Sequence, residues 1–161
     1  MGKKIIGIGE YVTSQNEDLL VTLGLGSCVG VCIRDKRKKI GSMIHIMLPE
    51  SNGKDIKKPG KYADTGLDII INEMKKNGSS STSMEAKIAG GAAMFGNSSK
   101  AMDIGNRNVE AIKKILKNNG IKIIAEDTGG SRARSIEYNI ENGDLQIKKV
   151  GGGEKVEIFT I

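Results

Sequence analysis

Three apolar runs rich in β-branched residues, at 19–25, 29–34 and 40–48, follow one another closely near the N-terminus. Only a glycine-rich link separates the first two, and only Asp35-Lys36-Arg37-Lys38-Lys39 the second and third. Short apolar runs bounded by turn residues read as strands. A polar stretch this short cannot carry a crossover, so the second and third strands must fold back on each other as a hairpin. That reversal puts Cys28, which ends Gly24-Leu25-Gly26-Ser27, beside the strand carrying His45, the one histidine in the chain. Counted from a loop centred near Arg37, the two lie about equally far along adjacent strands, where facing side chains come within roughly 5 Å.

Cysteine attacks a carbonyl carbon as its thiolate, so an enzyme using one needs a base within hydrogen-bond reach and a third group to orient that base. Cys28, His45 and Thr22 can fill those roles. Thr22 sits on the first strand, with a hydroxyl able to accept from the imidazole N–H and fix its tautomer. Gly24, Gly26 and Gly30 leave the backbone bare, so amide groups around Gly26, Ser27 and Cys28 can face a developing oxyanion. The competing reading is packing, since free cysteines are among the most buried residues. Cys32, between Val31 and Ile33 with no glycine turn, is read as core; Cys28 is open to both readings. On an extended strand Cys28 and Cys32 stand about 13 Å apart, too far to share an ion. Zinc is not expected, nor is a disulfide between them.

The rest of the chain supplies strands at 3–9, 85–89, 121–125, 135–140 and 145–150, the last two joined by an Asn142-Gly143 turn. Residues 14–18 read as a polar loop. Two helices are expected. One covers 61–76, with Leu67, Ile70, Ile71 and Met74 on one face, Asp64 and Thr65 capping its start and Gly78 ending it. The other covers 106–117, with Val109, Ile112, Ile115 and Leu116 on one side and Asn119-Gly120 as its stop. The loop at 50–60 either rims the site or is a plain surface excursion. Residues 79–83 read as a surface linker. No Gly-Lys-Ser/Thr follows Gly90-Gly91, so these glycines read as close backbone packing rather than a phosphate cradle. Phe95 is assigned to the core, with a partner anchor as the alternative. The tail at 154–161 either pairs as an edge strand or stays mobile. Roughly eight strands and two main helices, with hairpins predominating, give an α+β layered sandwich in which helices cover a mixed or antiparallel sheet.

Length points to one domain spanning residues 1–161. No apolar run approaches a membrane span, and the N-terminal one is too short for a secretory leader, so direct membrane insertion is not expected and the protein is read as cytoplasmic. The formal charge is +6, yet there is no Trp and only two Phe and three Tyr. That is too few aromatics for base stacking, which argues against nucleic acid. The lysines form either a solvated surface or a field that steers toward an acidic protein partner.

Gly-Leu-Gly-Ser-Cys-Val-Gly-Val-Cys followed by Met-Ile-His-Ile-Met-Leu-Pro resembles the CheD family of chemoreceptor glutamine deamidases. So do, in order, Lys61-Tyr62-Ala63-Asp64-Thr65, the block from Lys87 through Gly90-Gly91 to Phe95, Ile104-Gly105-Asn106-Arg107-Asn108-Val109 and Asp127-Thr128-Gly129-Gly130. The resemblance implies a Cys28, His45 and Thr22 triad that converts receptor glutamines to glutamate without a cofactor. It also implies a layered αβ fold with chemistry like that of papain-type cysteine hydrolases, chemoreceptors as substrate, and a second role in docking the CheC phosphatase. A generic cysteine amidase or peptidase, or a non-enzymatic docking module, are the alternatives. One departure is Ala133, where many relatives have glycine in a Gly-Gly-x-x-Gly-Arg block.

Overall fold

The computed structural model describes residues 2–15, 17–53, 57–94 and 103–161. Ten strands and two α-helices lie among them: β1 (Lys3–Ile6), β2 (Tyr11–Gln15), β3 (Leu19–Leu25), β4 (Val29–Asp35), β5 (Ile40–Ile46), α1 (Ala63–Lys76), β6 (Met84–Gly90), α2 (Asp103–Asn118), β7 (Lys122–Thr128), β8 (Ala133–Asn139), β9 (Leu145–Val150) and β10 (Glu157–Thr160). The class is α+β, as expected. The strands form two sheets, ordered β1-β3-β8-β9-β10 and β2-β5-β4-β6-β7. Both are mixed, because β1 runs parallel to β3 and β6 parallel to β7 while the other pairings are antiparallel.

Alternation along β4 builds the layers. Val29, Val31 and Ile33 point to one face, where they join Leu67, Ile70 and Met74 of α1 and Val109, Ile112 and Leu116 of α2. Burying each such aliphatic side chain contributes about 2 kcal/mol. Cys28 and Cys32 point the other way, into a second core with Met43 of β5 and with Leu20, Leu25, Ile136 and Tyr138 of the facing sheet. The order of layers is therefore helices, β4-containing sheet, β3-containing sheet.

The β4–β5 turn sets the register between these two neighbouring strands. Asp35 is buried, and its Oδ1 accepts the N–H groups of Arg37 (2.7 Å) and Lys38 (3.2 Å) while Oδ2 accepts the Ser79 hydroxyl. Burial alone would raise its pKa, but these donors outweigh it and hold the carboxyl below its usual range. With Asp35 paired to Ile40, the turn is centred between Arg37 and Lys38 rather than on Arg37. His45 accordingly faces Gly30, not Cys28.

Several expectations need correction. Part of the segment left outside any strand is β2, which pairs with β5 and covers its outer edge. Residues 79–83 are not a free linker, since Ser79 and Ser83 are buried and Ser81–Ser83 form a 3-10 turn. The N-cap of α1 is Tyr62, with no side-chain cap. Asp64 instead accepts from the Ser51 N–H, and Thr65 donates to Pro59 O. The tail pairs with β9 as β10. Ala133 opens β8 without the left-handed backbone that would demand glycine. Phe95 and part of the 50–60 loop lie outside the described residues.

Candidate functional site

His45 is wholly buried on the inter-sheet face of β5. Its backbone is pinned on the side away from β4: the N–H donates to Glu10 O (3.1 Å) and the carbonyl accepts from Gly9 N (2.9 Å). Its Nδ1 lies 2.8 Å from Thr22 Oγ1, and the same hydroxyl donates to Ile6 O at 2.8 Å. A carbonyl only accepts and a hydroxyl has one proton, so the Thr22 proton belongs to Ile6 O. Nδ1 must then be the N–H, leaving Nε2 with the lone pair. Nε2 is buried and has no hydrogen-bond partner among the described residues. Burial also pushes the imidazole pKa down to about 4, so the ring is neutral at neutral pH.

Thr22 reaches across from the opposite sheet because β3 changes register there. Its pairing with β8 slips between Thr22 and Leu25, and Gly24 takes a left-handed backbone (φ +70°) in the gap. Such irregularities re-aim side chains at functional sites. Hairpin spacing singled out His45, the family resemblance added Thr22, and the two side chains are in direct contact.

Cys28 stands in the bend between β3 and β4, 9% exposed, on the face that carries His45. It comes two residues before Gly30, the β4–β5 partner of His45, and strand geometry puts such diagonal neighbours roughly 7–8 Å apart between Cα atoms. Directly opposite His45, Gly30 contributes no side chain. A Cβ there would lie 2.6 Å from Ile136 Cδ1, so this glycine is what lets the sheets close over the site. Burial raises the Cys28 pKa, partly offset by its own backbone N–H. The resting pair is therefore a neutral thiol and a neutral imidazole, with no preformed ion pair. Cys32 is fully buried among apolar groups, its thiol pushed far up by desolvation, and belongs to the core.

The thiol bend is held on both flanks. Gly26 O accepts from Ala92 N and Cys28 O from Gly91 N, each at 2.9 Å. Gly90 comes so close that a Cβ would lie 2.3 Å from Cys28 O, which bears out the close-packing reading of Gly90-Gly91. Met94, exposed, lies over Gly26. Gly26 and Ser27, which immediately precede Cys28 in this bend, are half-buried.

Two contributors had no role in the sequence reading. Arg134, buried, donates to Asp127 Oδ2 and Gly129 O at 2.8 Å and to Gly90 O at 3.3 Å, clasping the strand end that grips Cys28. Asn108, fully buried on α2, donates from Nδ2 to Ser27 O and to Met47 O, both at 3.0 Å. Its Oδ1 is buried without a partner among the described residues, an arrangement that costs about 1–3 kcal/mol. A signal existed in the sequence: Asn108 falls on the apolar stripe of α2 with Val109, Ile112 and Leu116, where a polar residue is out of place.

A family profile described as CheD chemotactic sensory transduction matches residues 47–149. The chain is 62% identical over 159 residues to the "Chemoreceptor glutamine deamidase CheD" of Thermotoga maritima, covering 99% of each protein. It is 45% identical over 154 residues to the "Probable chemoreceptor glutamine deamidase CheD" of Syntrophomonas wolfei, covering 94% of this chain and 96% of the relative. A Thermococcus kodakarensis protein of the same description is 41% identical over 156 residues, at 94% and 96% coverage. These likenesses show that the chain belongs to the CheD family.

Proposed function

We propose that this chain is a chemotaxis enzyme that hydrolyses glutamine side chains of chemoreceptors to glutamate, with release of ammonia. What carries the reading is the relay from Ile6 O through Thr22 Oγ1 to His45 Nδ1, which leaves Nε2 free on the face bearing Cys28. High identity to a protein named as such a deamidase supplies the substrate class.

In this mechanism the Cys28 thiol gives its proton to His45 Nε2 as the Sγ–C bond to the carboxamide carbon forms. The oxyanion is met by the Cys28 N–H and a neighbouring amide of the Gly26-Ser27 bend. The protonated Nε2 then passes its proton to the leaving nitrogen, the C–N bond breaks, and ammonia departs from a thioester. His45 next takes a proton from water, which attacks the thioester; glutamate leaves and the thiol is restored. Thr22 holds the Nδ1–H throughout. General acid–base catalysis contributes about 10²–10⁴ and an oxyanion donor about 10²–10³, so the two must act together. One domain and no cofactor suffice in this scheme. The cytoplasm is its setting, since the substrate segments belong to signalling receptors. Among the described residues no helix is long and apolar enough to cross a membrane.

Mass spectrometry of a co-expressed chemoreceptor tests the proposal. Each converted glutamine gains about one dalton, and Cys28→Ala abolishes the gain. Receptor fragments in place of the one-dalton shift would mark a peptidase. Wild-type protein that leaves the receptor unchanged would favour a docking module. Family membership supports a second role in binding the CheC phosphatase; Cys28→Ala is expected to retain that binding.

A further inference from the structure

Asn108 interrupts the apolar face of α2, is wholly buried, and spends both side-chain N–H groups on main-chain carbonyls of two other segments. One is Ser27 O, in the thiol bend; the other is Met47 O, just past the histidine strand. Because carbonyls only accept, the side-chain amide orientation is fixed and Oδ1 is left over, buried and unpartnered among the described residues. An apolar side chain of the same size would leave no such orphan on this helix face. The polar group at 108 is therefore explained by what it holds.

We propose that Asn108 is a positioning residue for the deamidation, holding the Ser27–Cys28 peptide so that the Cys28 N–H points at the substrate oxyanion. This rests on the deamidase reading above. A trans peptide is planar, so its C=O and N–H point to opposite sides. Asn108 belongs to the helix layer on one face of the β4 sheet, whereas the Cys28 side chain joins the inter-sheet core on the other. With Ser27 O held on the helix side, the Cys28 N–H is directed to the thiol side. Once the Sγ–C bond forms, the carbonyl oxygen of the substrate lies next to that N–H.

The neighbouring peptides are already fixed by Ala92 N on Gly26 O and Gly91 N on Cys28 O. The Ser27 carbonyl lies between them, and Asn108 takes it. The first turn of α2 seats directly on the Gly91-Ala92 segment that grips the bend: a Cβ on Gly105 would lie 2.5 Å from Gly91 O. Through Met47 O, the same side chain ties the thiol bend to the strand that ends beyond the imidazole.

The experiment separates chemistry that develops an oxyanion from chemistry that does not. Asn108→Leu keeps the branching, though with more bulk, and suits the apolar face; Asn108→Asp keeps the shape. In both, kcat for ammonia release from a chemoreceptor is expected to fall roughly 10²-fold, with KM little changed. Alkylation of Cys28 by iodoacetamide, a displacement with no oxyanion, is expected to fall far less than ammonia release. Equal losses in both reactions, or undiminished ammonia release from a folded variant, would overturn the proposal. If neither variant folds, the wild type decides through nuclear magnetic resonance. A peptide carrying glutamate semialdehyde in place of the target glutamine adds the thiol across its C=O to form a hemithioacetal. The Cys28 amide proton is then expected to move downfield; an unmoved resonance overturns the assignment. Failure of the underlying reading looks different, as wild-type protein that releases no ammonia or Cys28→Ala protein that still does, and it would take this proposal with it.

Discussion

The imidazole of His45 has an acid-side consequence that can be measured without any substrate. Its pKa is about 4 in the folded chain, against an ordinary value of 6.5. Between those values the unfolded chain binds a proton that the folded one refuses, so stability rises with pH across the window and is lost as pH falls from 6.5 toward 4. The full shift corresponds to about 3 kcal/mol. Urea midpoints for the wild type are expected to drop over that interval, whereas His45→Phe is expected to lack this part of the acid limb. Thr22 gives a second prediction at this scale. Thr22→Val keeps the shape but strips the Nδ1–H of its acceptor, and kcat is expected to fall roughly 10²-fold while Thr22→Ser retains most of it. Steady-state ammonia release measures both. A Thr22→Val enzyme with wild-type kcat would remove Thr22 from the mechanism.

At the scale of the elements, the β4–β5 turn decides where the site falls. Asp35→Ala deprives the Ser79 hydroxyl and the N–H groups of Arg37 and Lys38 of their shared acceptor. Chemical denaturation is expected to show a loss of about 2–4 kcal/mol, larger than for an exposed turn residue. The same turn shows what sequence could and could not give. The hairpin and both its strands were readable from apolar runs and one polar interval. The register was not, because it depends on which turn residue the buried carboxylate gathers in, and that moved the partner of His45 from Cys28 to Gly30. β2 escaped for a related reason: Tyr11-Val12-Thr13-Ser14-Gln15 has weak alternation, and its pairing with β5 is long-range. His45 was legible from chemistry and hairpin spacing, whereas Thr22, an ordinary strand threonine by itself, stood out only through the family resemblance. Asn108 and Arg134 were not, since their value lies in main-chain carbonyls that only the folded chain brings near them.

For the molecule as a whole, the excess positive charge bears on encounter with substrate. If the lysines steer an acidic receptor helix, kcat/KM is expected to fall several-fold as salt rises from about 20 to 200 mM while kcat holds, because the Debye length shrinks over that range. A salt-independent kcat/KM would assign the lysines to solvation alone. The layering has a further bearing. Thr22 and Ile6 belong to one sheet and His45 to the other, so the base is aligned only while the two layers are in register. A slight parting of the layers would free the imidazole ring yet leave α1 and α2 packed on their own sheet. Turnover is therefore expected to fade at urea concentrations where far-ultraviolet circular dichroism still reports intact helices, making catalysis the more sensitive gauge of how tightly this sandwich is shut.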